Sequence, residues 1–113
     1  MQPTSCIMTV MTLAVFDAMA DPTRRALLER LRLGGPLSLN GLADGLPMSR
    51  QAVTKHLDVL RDAGLLRVRR LGRERIHELD PAPLRDVSDF LAPYAAAWDE
   101  RLIRLAAHVE DHP

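Results

Sequence analysis

Arg50, Gln51, Thr54 and Lys55 fall within six consecutive residues of the segment Ser49–Gly64, SRQAVTKHLDVLRDAG. An amide and a hydroxyl that can pair with base edges stand beside two cations that neutralise phosphate, so their chemistry suits a polyanion that carries a code. The segment around them is patterned as a helix. Ser49 is a good N-cap, able to accept from the free N–H groups of a first turn. Val53, Leu57 and Leu60 recur at i, i+4 and i+7, which makes one buried stripe flanked by Ala52, His56 and Ala63. Arg50, Gln51, Thr54, Lys55, Asp58 and Arg61 take the opposite face, and Gly64 is placed to end the helix as a left-handed residue. The alternative is an amphipathic helix whose polar face is simply solvated.

The adjoining segment favours the first reading. Leu65–Asp80, LLRVRRLGRERIHELD, holds two short β-compatible runs around Gly72-Arg73, with Leu66 and Val68 alternating with Arg67 and Arg69. The pattern predicts a hairpin packed on one face, its tip carrying Arg69, Arg70, Arg73 and Arg75. A basic hairpin after such a helix is a wing, suited to lie along a phosphate backbone or enter a minor groove.

The line SRQAVTKHLDVLRDAGLLRVRRLGRERIHELDP resembles the core of the ArsR family of bacterial winged helix-turn-helix repressors, and DPTRRALLERL upstream resembles the helix that precedes that motif. The likeness covers roughly residues 16 to 105. It implies a mainly α fold with a small β-hairpin, dimerising through its first and last helices. It also implies a repressor that binds an inverted-repeat operator in double-stranded DNA as a homodimer and leaves it when an inducer, here an unspecified small molecule, binds. By that resemblance Arg50, Gln51, Thr54, Lys55, Arg70, Arg73 and Arg75 are the DNA-binding residues, with Gln51 and Thr54 on bases. Phe16, Phe90, Tyr94, Trp98, Leu102 and Leu105 are the dimer interface.

Length and charge agree with this. A chain of 113 residues has room for one domain, with a core that is thin without oligomerisation. The formal charge is zero, but it is unevenly spread. Residues 48–75 carry eight basic and three acidic side chains, a balance of +5; residues 76–113 carry three and eight, a balance of −5. One basic surface on an otherwise neutral or acidic molecule suits contact with DNA through one side. A single cysteine, Cys6, excludes an intrachain disulfide and fits a reducing cytoplasm. The apolar stretch from Cys6 to Phe16 is too short to span a membrane and lacks the flanks of a signal peptide.

In chain order, residues 1–5 are expected to be disordered and Ile7–Ala20 to form a helix that is apolar nearly all round, buried against a partner subunit. Asp21-Pro22 is a helix start, Asp as N-cap and Pro at N1. The next helix, Thr23–Leu33, is predicted to bury Ala26, Leu27, Leu28 and Leu31, leaving Arg24, Arg25, Arg30 and Arg32 to water or phosphates. Ser38 caps a short helix from Leu39 to about Gly45, so residues 38–63 form a helix-turn-helix and 65–80 the wing. A long helix over 82–110 bears Phe90, Tyr94 and Trp98 at i, i+4 and i+8, with a kink or break expected near Asp89–Pro93.

No cofactor or metal site is expected. Metal-sensing members of the family carry Cys-x-Cys on the third helix, where this chain has Leu39-Asn40-Gly41. Zinc-type members carry Asp-x-His and then His-x-x-Glu on the last helix; here His108 and Asp111 match the second half, but Ala95 and Ala97 stand in the first. Two ligands do not close a site. Cys6 has no visible resolving partner and reads as a tolerated thiol. The aromatic stripe reads as dimer packing in preference to an inducer pocket. No nucleophile–base pair or phosphate-cradling glycine loop is present in the sequence, so it is not read as an enzyme. The competing class is a winged helix that binds an acidic protein partner through the same basic surface.

Overall fold

The first corner of the chain is set by Asp21. Its carboxylate accepts from the N–H groups of Thr23 (2.8 Å) and Arg24 (3.1 Å), and Pro22 takes the N1 position, so helix α2 (Pro22–Gly34) begins where the cap dictates. The same bonds, chiefly that from Arg24, hold the Asp21 carboxyl below its usual range. The structure is a computed structural model describing residues 3–111, with side-chain surroundings for residue 10 and residues 12–107. Helix α1 (Pro3–Met19) precedes α2; after it come β1 (Leu37–Ser38), α3 (Leu39–Ala43), α4 (Arg50–Asp62), β2 (Leu66–Leu71), β3 (Glu74–Leu79) and α5 (Ala82–Asp111). The fold is mainly helical with one small antiparallel sheet in the order β1-β3-β2.

The core gathers one stripe from each element. Leu27 of α2, Leu42 of α3, Val53 and Leu60 of α4, and Leu65 before β2 are all fully buried, and Val15, Ala18, Leu57, Leu66 and Val87 complete the cluster. Burying a side chain of this size stabilises the fold by about 1.5–3 kcal/mol, so a handful of residues carries most of the apolar term. Gly64 then turns the chain from α4 into the wing. Its N–H donates to the Arg61 carbonyl (2.9 Å) and that of Leu65 to the Leu60 carbonyl (3.0 Å), a Schellman closure that needs the positive φ of 84°. In the wing, Gly72 (φ 66°) and Arg73 form a two-residue loop that pairs Arg70 with Arg75 and Val68 with His77.

Several expectations are corrected. Helix α1 starts at Pro3, not Ile7, because proline suits a first helical turn. The expectation that a partner subunit covers it concerns an assembly; within the single chain Val10 and Leu13 are exposed while Thr12, Val15 and Ala18 are buried. Ala26 is exposed, since the buried stripe of α2 is Leu27, Leu28 and Leu31. Helix α3 stops at Ala43, and Gly45, at φ 77°, takes the chain out of it. The sheet has a third strand, in which Leu37 pairs with His77 and Ser38 with Ile76. Two residues show no alternation; the free edge of β3 recruits them. Helix α5 runs through Pro93 without a break. Pro93 and Asp89 are both exposed, so water can serve the carbonyl that the missing N–H leaves free. Cys6, His108 and Asp111 have side chains outside the described residues.

The arginines of α2 are also placed differently. Helix α1 has no basic residue in its last turn. Its orphan carbonyls are served from α2: Arg24 donates to Ala18 (2.5 Å) and Asp17 (3.1 Å), Arg25 to Met19 (2.8 Å) and Ala20 (3.1 Å). Arg30 likewise donates to the carbonyls of Leu42 (3.1 Å) and Asp44 (2.5 Å) at the end of α3, and Arg32 pairs with Glu29. Arg24, Arg25 and Arg30 thus fasten helix ends, while Arg32 stays exposed to water as expected.

Gly64 and His77 each make a measurable contribution to stability. Gly64→Ala should lower the urea midpoint at unchanged m by the equivalent of about 1–2 kcal/mol, because an alanine must hold a left-handed conformation there. Its Cβ would meet Pro83 at 3.4 Å, an ordinary contact, so the cost is conformational. For His77, burial pushes the pKa below 6.5, aided by Arg75 and Arg61 and opposed by the bond to the Leu37 carbonyl (3.4 Å). The unfolded chain therefore takes up this proton first. Stability should be full above pH 6.5, fall as pH drops below it, and level off once pH passes the folded-state pKa. His77→Leu should remove that slope from the urea midpoints; an unchanged slope would contradict the assignment.

Candidate nucleic-acid interface

Burial of Val53, Leu57 and Leu60 leaves one side of α4 facing outward, and the caps decide which residues head it. The Ser49 hydroxyl accepts from the Ala52 N–H (3.1 Å), placing Arg50 and Gln51 in the first turn. At about 100° per residue, Arg50, Gln51, Thr54 and Lys55 share an arc of roughly 140°. All four are exposed. The Thr54 hydroxyl donates to the Arg50 carbonyl (2.9 Å), which leaves its oxygen lone pairs and its methyl group facing out. In that state it can accept from the amino group of adenine or cytosine, or touch a thymine methyl.

The wing stands beside this face. Thr54, Arg73 and Arg75 line one cleft between α4 and the hairpin, so the structure brings the helix and the wing tip together as the sequence suggested. Arg70 lies on the other wing strand, directly across from Arg75. The two-residue loop fixes that pairing, so a hairpin register drawn through Gly72-Arg73 is the signal that finds it. Period-two alternation puts Arg70 and Arg75 on the same face as Val68 and His77, while Arg67, Arg69 and Leu71 take the other. Also in the cleft wall are Ser38 and Asn40, which in sequence are legible only as the cap and first turn of a short helix.

The charges divide into two groups. Arg24, Arg25, Arg30 and Arg32 serve α1, α3 and Glu29; Arg61 pairs with Asp58 (3.5 Å) and Asp62 (3.8 Å), and Arg67 with Asp80 (3.9 Å). Among the described residues of α4 and the wing, Arg50, Lys55, Arg69, Arg70, Arg73 and Arg75 form no ion pair or side-chain hydrogen bond, Arg69 lying on the opposite face of the hairpin from Arg70 and Arg75. Arg50 and Lys55 share the outer face of α4 with Gln51 and Thr54, and Arg73 and Arg75 share a cleft with Thr54. No helix of the described residues is long and apolar enough to cross a membrane.

A second surface lies on α1 and α5. Phe16 is half-buried and meets Phe90 edge to face, ring centroids 6.2 Å apart, and Phe90 meets Tyr94 at 5.9 Å. Beyond them Tyr94 (66% exposed), Trp98 (56%), Leu102 and Leu105 continue uncovered along α5, with the Arg101 guanidinium 5.9 Å from the Trp98 ring. So long an apolar stripe is more than scattered surface leucines.

Comparison with known proteins bears on the family and the fold. A helix-turn-helix domain family matches residues 19–69, from the end of α1 into the wing. The chain is 49% identical over 69 residues to the HTH-type transcriptional regulator Rv2034 of Mycobacterium tuberculosis, an alignment covering 61% of this chain and 64%, just under two thirds, of that one. It is 28% identical over 88 residues to the transcriptional repressor SdpR of Bacillus subtilis, covering 78% of this chain and 97% of that one. The crystal structure of the ArsR family transcriptional regulator RHA00566 superposes with a TM-score of 0.72 at 34% identity, over 80% of this chain and 93% of that one. With its capped outward-facing α4, basic wing and this degree of likeness, the chain belongs to the ArsR family of winged helix-turn-helix transcriptional regulators.

Proposed function

We propose that the chain acts as a homodimeric repressor in the cytoplasm, reading an inverted-repeat operator with α4 in the major groove and the wing on the backbone or minor groove beside it. The observation that carries this is the sorting of cations. Arg61 and Arg67 pair with neighbouring carboxylates, whereas Arg50 and Lys55 beside Gln51 and Thr54 on α4, and Arg70, Arg73 and Arg75 on the wing, have no partner among the described residues; Arg69 is also unpaired, on the opposite face of the hairpin. In this reading Gln51 and Thr54 touch base edges, Lys55 a base or phosphate, and Arg50 with the wing arginines the backbone. Repression is supported by the likeness to SdpR, itself a transcriptional repressor. Dimerisation is supported by the uncovered stripe: Phe16, Phe90, Tyr94, Trp98, Leu102 and Leu105 would pack against a second copy. A two-fold axis through that contact presents two copies of α4 to successive major grooves. A small-molecule inducer would act by favouring the state that does not bind DNA.

The test compares base contacts with phosphate contacts. Fluorescence anisotropy is measured on a duplex from the chain's own promoter and on a scrambled one. Gln51→Ala should cost about 1–3 kcal/mol on the promoter duplex and little on the scrambled one. Arg73→Ala should weaken both alike and make the salt dependence shallower, by a slope of about 0.9 for each phosphate no longer neutralised. Equal losses for Gln51→Ala on both duplexes would remove it from base reading. No sequence preference in the unaltered protein would favour an acidic protein partner instead.

A further inference from the structure

Beneath the wing, between β3 and the flank of α4 and with the start of α3 as a third wall, lies a cleft of about 360 Å³. That is the size of a small-molecule site. Its character changes along its length. At the base the inner face of the wing presents Val68 and the buried His77, with Leu39 and Leu57 lining the cleft from α3 and α4. One pleat further toward the tip, about 7 Å along the strand, the same face presents Arg75, and Arg73 follows in the loop. Arg70 lies directly across from Arg75, a like-charged cross-strand pair that disfavours the free protein and that no carboxylate bridges among the described residues.

A track for DNA phosphate alone needs no apolar floor. An anion with a hydrocarbon body uses both ends. The acids in the wall narrow the choice further: among the lining side chains, which do not include Arg70, Asp58 is held by Arg61 and Glu74 offsets one of Arg73 and Arg75, leaving a net charge of one positive on the lining. We infer that this cleft binds a small monocarboxylate with a hydrocarbon body, head group on Arg75 and chain toward Val68 and Leu57, and that its occupation excludes DNA. Exclusion follows because Thr54, Arg73 and Arg75 line the same space; that consequence rests on the DNA-reading proposal, whereas the binding does not.

Calorimetry on the full chain without DNA, titrated with straight-chain carboxylates from butanoate to decanoate, tests the binding. Affinity should rise up to about fourfold per added methylene until the cleft is filled. Arg75→Ala should weaken the best acid about tenfold or more. Arg67→Ala, which removes the same charge from the opposite face of the hairpin, should leave it unchanged. A flat series would overturn the proposal, as would a rising series insensitive to Arg75→Ala, which would place the acids on the apolar stripe of α5. In anisotropy with the promoter duplex, the best acid should displace the protein; acid bound with DNA affinity unaltered would overturn the exclusion. Should the protein bind no DNA at all, the calorimetry still decides the cleft.

Discussion

Val53, Leu57 and Leu60 are buried in one cluster with Leu27, Leu42 and Leu65, and that burial fixes the rotation of α4 about its own axis. A helix offers its outward face only as firmly as its inward face is held. With the stripe locked, Arg50, Gln51, Thr54 and Lys55 have nowhere to point but outward. The Schellman closure at Gly64 then carries this setting into the wing, since Leu65 and Leu66 return to the same core. Helix and wing are thus aligned by continuous packing, not by a hinge.

The second constraint is electrostatic. A small domain with formal charge zero can favour a polyanion only by committing its positive charge to one side. Three arginines of α2, Arg24, Arg25 and Arg30, are used instead as fasteners of helix ends. Arg24 and Arg25 bind the carbonyl end of α1 to the start of α2, and Arg24 also approaches the ring of His56 on α4 (3.5 Å). Helix α1, which bears part of the proposed dimer surface, is thereby tied to the helix proposed to read DNA. The cost of leaving like charges opposed at Arg70 and Arg75 is small in a screened surface hairpin, and it is relieved by any anion placed between them.

How much of this was legible in the chain depends on whether the governing interaction was local. Caps at Asp21, Ser38 and Ser49, the buried stripe of α4, the end at Gly64 and the hairpin around Gly72 are short-range signals, and each appears where the residues put it. The strand Leu37–Ser38 was not legible, because two residues hold no period and are ordered by an edge that lies about forty residues further along the chain. Nor were the fastening roles of Arg24, Arg25 and Arg30: a guanidinium that caps a neighbouring helix is identical in sequence to one that awaits a phosphate. Pro93 signalled a break that exposure to water makes unnecessary. At the candidate site the residue types were legible, but the direct opposition of Arg70 and Arg75 emerged only from the register.

The claim that two copies of α4 enter successive major grooves is tested most directly by guanine N7 methylation protection on the promoter duplex. Two protected patches on one face of the helix, their centres one turn of about 34–36 Å apart or a multiple of it, are expected, with the wing's minor-groove or backbone contacts beside them. Protection limited to a single patch, or absent from the major groove altogether, would contradict it.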